Sequence, residues 1–338
     1  MLATLFRLML FLMLFYPRPI MPAEAAGKQV IILETMPVHV ILEGSAVFQE
    51  TLHIIRDSVD FRVLKADGDP DRATRLLKNA LAEQTPDLVV AIATLGSQVA
   101  HQLLKDTDIP WLFFTVTDPV GAGIVAQINQ PSGTNVSGRV YGIERKTKLD
   151  MALRLVKDVS SQRPLRIGFI HTDYPSSQGD KGMLREAIGG HPDFSFVPYQ
   201  IVYQAVPEKL PELLDQVREA TRKLAGQVDY WWTPVGPLGE RDEYVKLLVE
   251  ETEKPVLMAT NLRGPQLGAL LYLGPDIPGQ AREVAALADS ILSGEDAGSI
   301  PITMPKSFAV GLNLTTASQL GIVIPADILD IAGGNVYK

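Results

Sequence analysis

The chain has 338 residues, a formal net charge of -8, 46% apolar residues and no cysteine. That balance is ordinary for a globular protein and excludes a disordered chain, a coiled-coil rod, a disulfide framework, a thiolate metal site and a lipid-modified cysteine. The acidic charge, without any Lys/Arg run, argues against nucleic acid as a partner, and the length suits two domains.

Residues 1–25 read as a secretory signal peptide. Arg7 precedes the apolar run 8–16, and Ala23-Glu24-Ala25 fits the small-x-small cleavage pattern. The run is well short of the roughly 20 residues a spanning helix needs. A soluble, exported (periplasmic or extracytoplasmic) mature protein is the expectation.

Beyond that leader, short apolar runs alternate with stretches of helical spacing. Residues 29–34 read as a buried strand, 45–59 as a helix and 61–64 as a strand. Asp69-Pro70-Asp71 opens the next helix, with Ala73, Leu76, Leu77, Ala80 and Leu81 on one face. Strands follow at 87–93, 111–115 and 134–138, with helices at 96–105 and 119–128 between them. The pattern then restarts. Helices are predicted over 144–159, 176–188, 208–224 and 238–253, with strands at 166–170, 194–202, 228–233 and 256–259. A strand at 269–273, a helix at 279–292 and an extended segment at 302–314 complete it. Within 228–233, strand alternation sends Trp231 to the face opposite Tyr230 and Trp232. Near-continuous apolar strands between helices predict an α/β protein with parallel sheets covered on both faces, in two closely apposed Rossmann-like lobes.

Ligands of open parallel sheets collect outside the carboxyl ends of the strands, so those tips supply the candidate site residues. They are Glu34, the run from Thr94 through Gly96, Ser97 and Gln98, then Thr117, Asp118, Tyr174, Thr233 and Asn261. The amides at 94–98 suit a small anion such as a carboxylate, while plain N-capping by Thr94 or Ser97 is the structural alternative. Asp118 either caps a helix that starts at Pro119 or bonds an ammonium group, and one carboxylate can do both. No phosphate-binding loop, dinucleotide fingerprint, nucleophile elbow or metal-spaced histidine pair occurs, so no cofactor and no catalytic set is read. The chemistry leans to binding.

Several of these residues also carry a resemblance. Asp87-Leu-Val-Val-Ala-Ile-Ala-Thr-Leu-Gly-Ser-Gln98, Val116-Thr-Asp-Pro-Val-Gly-Ala-Gly-Ile-Val125 and Asn313-Leu-Thr-Thr-Ala-Ser-Gln-Leu-Gly-Ile-Val-Ile-Pro325 resemble the ABC-transporter substrate-binding proteins of the tryptophan/tyrosine-binding type. The resemblance implies a type I periplasmic-binding-protein fold, with two lobes joined by three crossovers and closing on a ligand by hinge motion. It implies a monomer that captures a small polar solute, by family default an aromatic amino acid, for an ABC permease. It places residues 28–139 with about 275–298 in lobe I and 140–268 with about 300–314 in lobe II, and leaves 315–338 unassigned. It gives Thr94–Gln98 and Asp118 the solute's carboxylate and amino groups. The second-lobe tip departs from the family, since Thr233-Pro-Val-Gly-Pro237 lacks an acid or amide. A later tip reads Ala259-Thr-Asn-Leu-Arg263. A shifted ligand class is therefore open, as is a sensory or degenerate binding module that presents to a membrane signalling partner.

Overall fold

Five apolar runs build the first sheet: β1 (Lys28–Glu34), β2 (Val59–Lys65), β3 (Leu88–Ile92), β4 (Trp111–Val116) and β5 (Val136–Val140). They pair in parallel in the order β2-β1-β3-β4-β5. Every residue of β3 and β4 is buried, as an unalternating apolar run requires when both faces are covered. Helices α1 (His39–Ile55), α2 (Pro70–Glu83) and α3 (Thr94–Leu104) follow β1, β2 and β3 in the chain. The computed structural model describes residues 27–159, 162–203 and 209–338. The leader reading for 1–25 and position 208 of the predicted helix 208–224 lie outside them.

The second sheet has the order β12-β11-β10-β9-β8-β6-β7. Its strands are β6 (Leu165–Thr172), β7 (Phe194–Ile201), β8 (Tyr230–Trp232), β9 (Val256–Ala259), β10 (Leu271–Pro275), β11 (Phe308–Asn313) and β12 (Val336–Tyr337). Helices α4 (Arg145–Val156), α5 (Pro175–Gly189), α6 (Leu210–Leu224), α7 (Asp242–Glu251) and the single turn α8 (Arg263–Gln266) accompany it. Tyr230 and Trp232 enter one core of this sheet and Trp231 the other, as strand alternation predicts.

Between the two sheets the chain crosses three times: after β5, after β10, and between Ile302 and β11. The second crossing feeds α9 (Ile277–Leu292), whose Ala281, Val284, Ala285 and Ala288 complete the core of the first sheet. The third returns the chain to the second sheet. There α10 (Leu314–Gln319), α11 (Ala326–Ala332) and β12 pack, with Ala317, Ile328 and Ala332 in its core.

Four local expectations change. Residues 119–128 form turns rather than a helix. Gly121 and Gly123 lower helix propensity there, Gly123 sits at φ +72, and Asp118 bonds back onto Gly121 N at 2.7 Å. The first helix starts at His39, not 45, because Val40 and Ile41 already bury against the first core. The last helix of the second repeat begins only at Asp242, after a turn over Leu238–Arg241. Of the extended segment 302–314, only β11 is a strand, and it runs antiparallel to β10. The reason is topological. β10 leaves its sheet toward the first lobe, and a chain returning from that end can enter beside it only in the opposite direction.

Candidate functional site

The carboxyl ends of β3 and β4 face those of β6, β8 and β9 across the space between the sheets. Six hydroxyls at these ends are buried without a partner among the described residues: Thr94, Thr115 and Thr117 from the first sheet, and Tyr174, Thr233 and Thr260 from the second. Buried polar atoms are normally satisfied, so each orphan asks for an explanation. Two strand ends are also strained. Ala93 sits at φ 71, ψ 167, a region that glycine alone adopts freely, and Thr115 at φ +60. Such backbone persists where the surroundings over-determine it, and it clusters at ligand clamps.

Three of the cavities between the lobes lie along the strand tips. The central one, about 30 Å³, is lined from the first sheet's side by Met36, Ala93 and Thr115 and from the second's by Tyr174, Ser176 and Glu240. A hinge-side cavity of about 310 Å³ is lined by Glu43, Tyr141, Glu240, Asn261, Tyr272 and Asp276 among others. On the other side, Thr94, Gln98, Asp118, Ser176 and Gln178 border a cavity of about 330 Å³.

The sequence-predicted residues divide accordingly. Thr94, Gln98 and Asp118 meet in the third cavity, Tyr174 borders the central one and Asn261 the hinge-side one. Glu34, Gly96, Ser97, Thr117 and Thr233 border none of the three. Ser97 turns inward, its Oγ donating to the Ala93 carbonyl at 2.8 Å. The Gly96 amide is already bonded to Thr35 Oγ1 at 3.1 Å, and a Cβ on Gly96 would stand 2.7 Å from that oxygen. Neither Thr94 nor Ser97 caps α3; its cap residue is Ala93, without a side-chain bond. Gln98 Nε2 donates to the Ala122 carbonyl at 3.2 Å. Asp118 spends one oxygen on the Gly121 amide and caps a turn, not a helix. Arg263 is committed to Asp242, with its Nε donating at 2.8 Å.

Glu240 was not singled out from the sequence. It stands at the end of the tip 233–240, whose shape comes from Val235 N donating to Asp180 Oδ2 (2.8 Å), Ser177 Oγ donating to Val235 O (3.1 Å) and Glu240 N donating to Gly236 O (3.1 Å). Gly236, at φ +122, and Gly239, whose Cβ would fall 1.8 Å from the Pro234 carbonyl oxygen, permit that close turn. The only signal in the sequence was Glu240 closing a Pro/Gly-rich tip.

Beneath the tip, Asp180 receives two bonds from Arg145, at 3.0 and 2.6 Å, in a pair nearly shut from solvent. Lys148 is buried beside them. Desolvation, reinforced by the Arg145 charge, pulls its ammonium down to about 7. Glu240 is pushed the other way, up to about 7, by desolvation against the bond from Asn261. Among the described residues no cluster of His, Asp and Glu is placed to hold a metal ion, and no helix is long and apolar enough to cross a membrane.

Comparison with known proteins adds context. Residues 48–163 match a family described as ABC transporter substrate binding protein. A "Tyrosine-binding protein" of Clostridioides difficile (strain R20291) is 26% identical over 247 residues, 73% of this chain and 66% of that relative, so the match spans just under two thirds of its length. Among solved structures, an ABC domain from Streptococcus pneumoniae in complex with L-Trp superposes with TM-score 0.74 at 18% identity, covering 91% of this chain and 100% of that one. A ligand-free, open substrate-binding protein with adhesive properties from Clostridium difficile superposes with TM-score 0.64 at 21% identity, covering 92% and 98%. A conserved domain protein from Vibrio cholerae gives 0.74 at 21% identity, covering 92% and 99%. These structural likenesses show the fold, two α/β lobes.

Proposed function

We propose, from the match of residues 48–163 to the ABC-transporter substrate-binding family and from the fold, that this chain is an exported receptor which captures a small polar organic solute between its lobes and hands it to a membrane permease. One observation carries the reading. Six buried hydroxyls, three from each sheet, end without partners at facing strand tips. Three of them, Thr94, Thr115 and Tyr174, line the cleft cavities, where a solute with polar groups on two sides would satisfy them, and each bond so made recovers about 1–3 kcal/mol of desolvation cost. The central cavity, about 30 Å³, holds about one water. A solute therefore enters by separation of the lobes about the three crossings and is retained by their closure.

Thr94, Gln98 and Asp118 are the proposed contacts of the first lobe, and Tyr174 with Thr115 those at the centre. The tyrosine and tryptophan named for the relatives make aromatic amino acids the first solutes to try. Residues 27–338, unfolded and refolded to strip carried ligand, would be screened by thermal shift against amino acids, aromatic acids, nucleosides, sugars and dicarboxylates. A solute at about 100 times its Kd adds roughly 2.7 kcal/mol and raises the midpoint clearly. A flat response across the panel would count against a receptor of these solutes.

A further inference from the structure

Glu240 is the one carboxylate that borders both the central and the hinge-side cavity. Its Oε2 accepts from Asn261 Nδ2 at 2.7 Å, and no cation of the described residues pairs with it. The neighbours are already engaged. Arg263 is tied to Asp242, His39 lies 3.4 Å from Glu43, and Asp276 caps α9 through Gly279 N at 2.9 Å. Glu240 is half-buried, and a largely desolvated carboxylate without a counter-charge is costly, so a solute is the remaining source of one. The same central cavity holds two orphaned hydroxyls, Thr115 Oγ1 and Tyr174 OH, on residues 6% and 9% exposed. With the free Glu240 oxygen they make three acceptors, the number an ammonium group needs for its three N–H bonds.

We propose that Glu240 is the second lobe's charged contact, and that the solute carries an organic ammonium held where the central and hinge-side cavities meet. This rests on the solute-receptor reading and replaces the acid missing from the tip 233–237. Tyr141 and Tyr272 also line the hinge-side cavity, and aromatic rings suit the same cation. Of the three carboxylates that border that cavity, Glu43 lies beside His39 and Asp276 lies 3.8 Å from Arg282, which leaves Glu240 the one without a basic partner among the described residues.

The proposal has a pH signature. Facing Glu240 are Tyr141 and Tyr272, both held protonated by burial, Asp242, Asn261 and Arg263 from α7 and α8, His39 and Glu43 from α1, and Asp276. Desolvation holds Glu240 near 7, and Asp242 adds to the upward push. Cation binding needs the ionised form, so affinity falls as pH drops through that value, by about tenfold from pH 8 to pH 6.

Isothermal titration calorimetry with matched probes tests this: L-tyrosine, its amine tyramine and its deaminated acid 3-(4-hydroxyphenyl)propionate, with L-lysine and the diamine 1,5-diaminopentane as non-aromatic counterparts. Amine-bearing probes are expected to bind and the deaminated acid not to. Glu240→Gln, which keeps an acceptor for Asn261, is expected to weaken amine binding at pH 8 by about tenfold or more and to remove its pH dependence. Equal binding of amine and deaminated acid, unchanged amine affinity in E240Q, or no binding of any amine overturns the proposal. A sugar or nucleoside that stabilises the protein while all amines fail would leave the receptor reading standing without it.

Discussion

Lys148, buried, and Glu240, half-buried, are two groups whose titration pulls stability in opposite directions. Lys148 is held near 7 in the folded protein, against an ordinary 10.5. Below pH 7 it is charged in both states, and folding bears the cost of burying that charge. Between about 7 and 10.5 the unfolded chain binds the extra proton, so this residue makes stability rise with pH. Glu240 is held near 7 against an ordinary 4.5. Between 4.5 and 7 the folded state keeps a proton that the unfolded chain loses, so stability falls as pH climbs through that window. Lys148→Met, similar in volume and uncharged, is expected to raise stability at pH 7 by at least about 1 kcal/mol and to flatten the rise between pH 7 and 10. Thermal unfolding of both proteins across that range measures it. A variant that loses stability at pH 7 would show that the ammonium contributes more to the Arg145–Asp180 cluster than its burial costs.

Among the elements, α2 has the plainest start signal. Asp69 accepts from the backbone N of Asp71 at 2.8 Å and of Arg72 at 3.0 Å, and Pro70 fills the first helical position. Asp69→Ala is expected to cost about 1 kcal/mol in urea unfolding, with the m-value unchanged. Loss within 0.3 kcal/mol of zero would mean water replaces the cap without cost. The stretch after β4 is the contrast. It carries the same Asp-Pro pair, yet two glycines close behind it let the chain turn rather than wind, and Asp118 serves a turn facing the cleft. Asp-Pro marks a start, and the residues behind it decide what starts.

At the scale of the whole molecule, the two halves meet closely at one glycine. Gly179 of α5 lies against Asp118 of the first lobe, so that a Cβ there would stand 3.1 Å from the Asp118 Cβ. That is tighter than ordinary contact, so a bulky side chain there presses on the first lobe. Gly179→Leu is expected to hold the cleft wider, increase the radius of gyration in small-angle scattering and weaken solute binding by tenfold or more, with the unfolding midpoint of the solute-free protein little changed. Unaltered scattering and affinity would mean that the two halves have slack at this contact.

The succession of strands and helices, the faces of Trp231 and Trp232, and the Asp69 start were legible in the sequence because each depends on residues within a few positions: apolar period, alternation and capping. The candidate site at the strand tips was argued from the same pattern, since a parallel sheet leaves its polar ends there. What only the tertiary structure decided depends on distant partners. β11 runs antiparallel because the chain returns from the other lobe. The Gly96 amide is spent because Thr35, 61 positions earlier, accepts from it. Glu240 reaches the cleft because Asp180 and Ser177, some 55 and 58 positions earlier, fold its tip. Local pattern determines the elements, but whether a side chain is left over for a ligand depends on which others its neighbours have already satisfied, and that is settled only when the lobes meet.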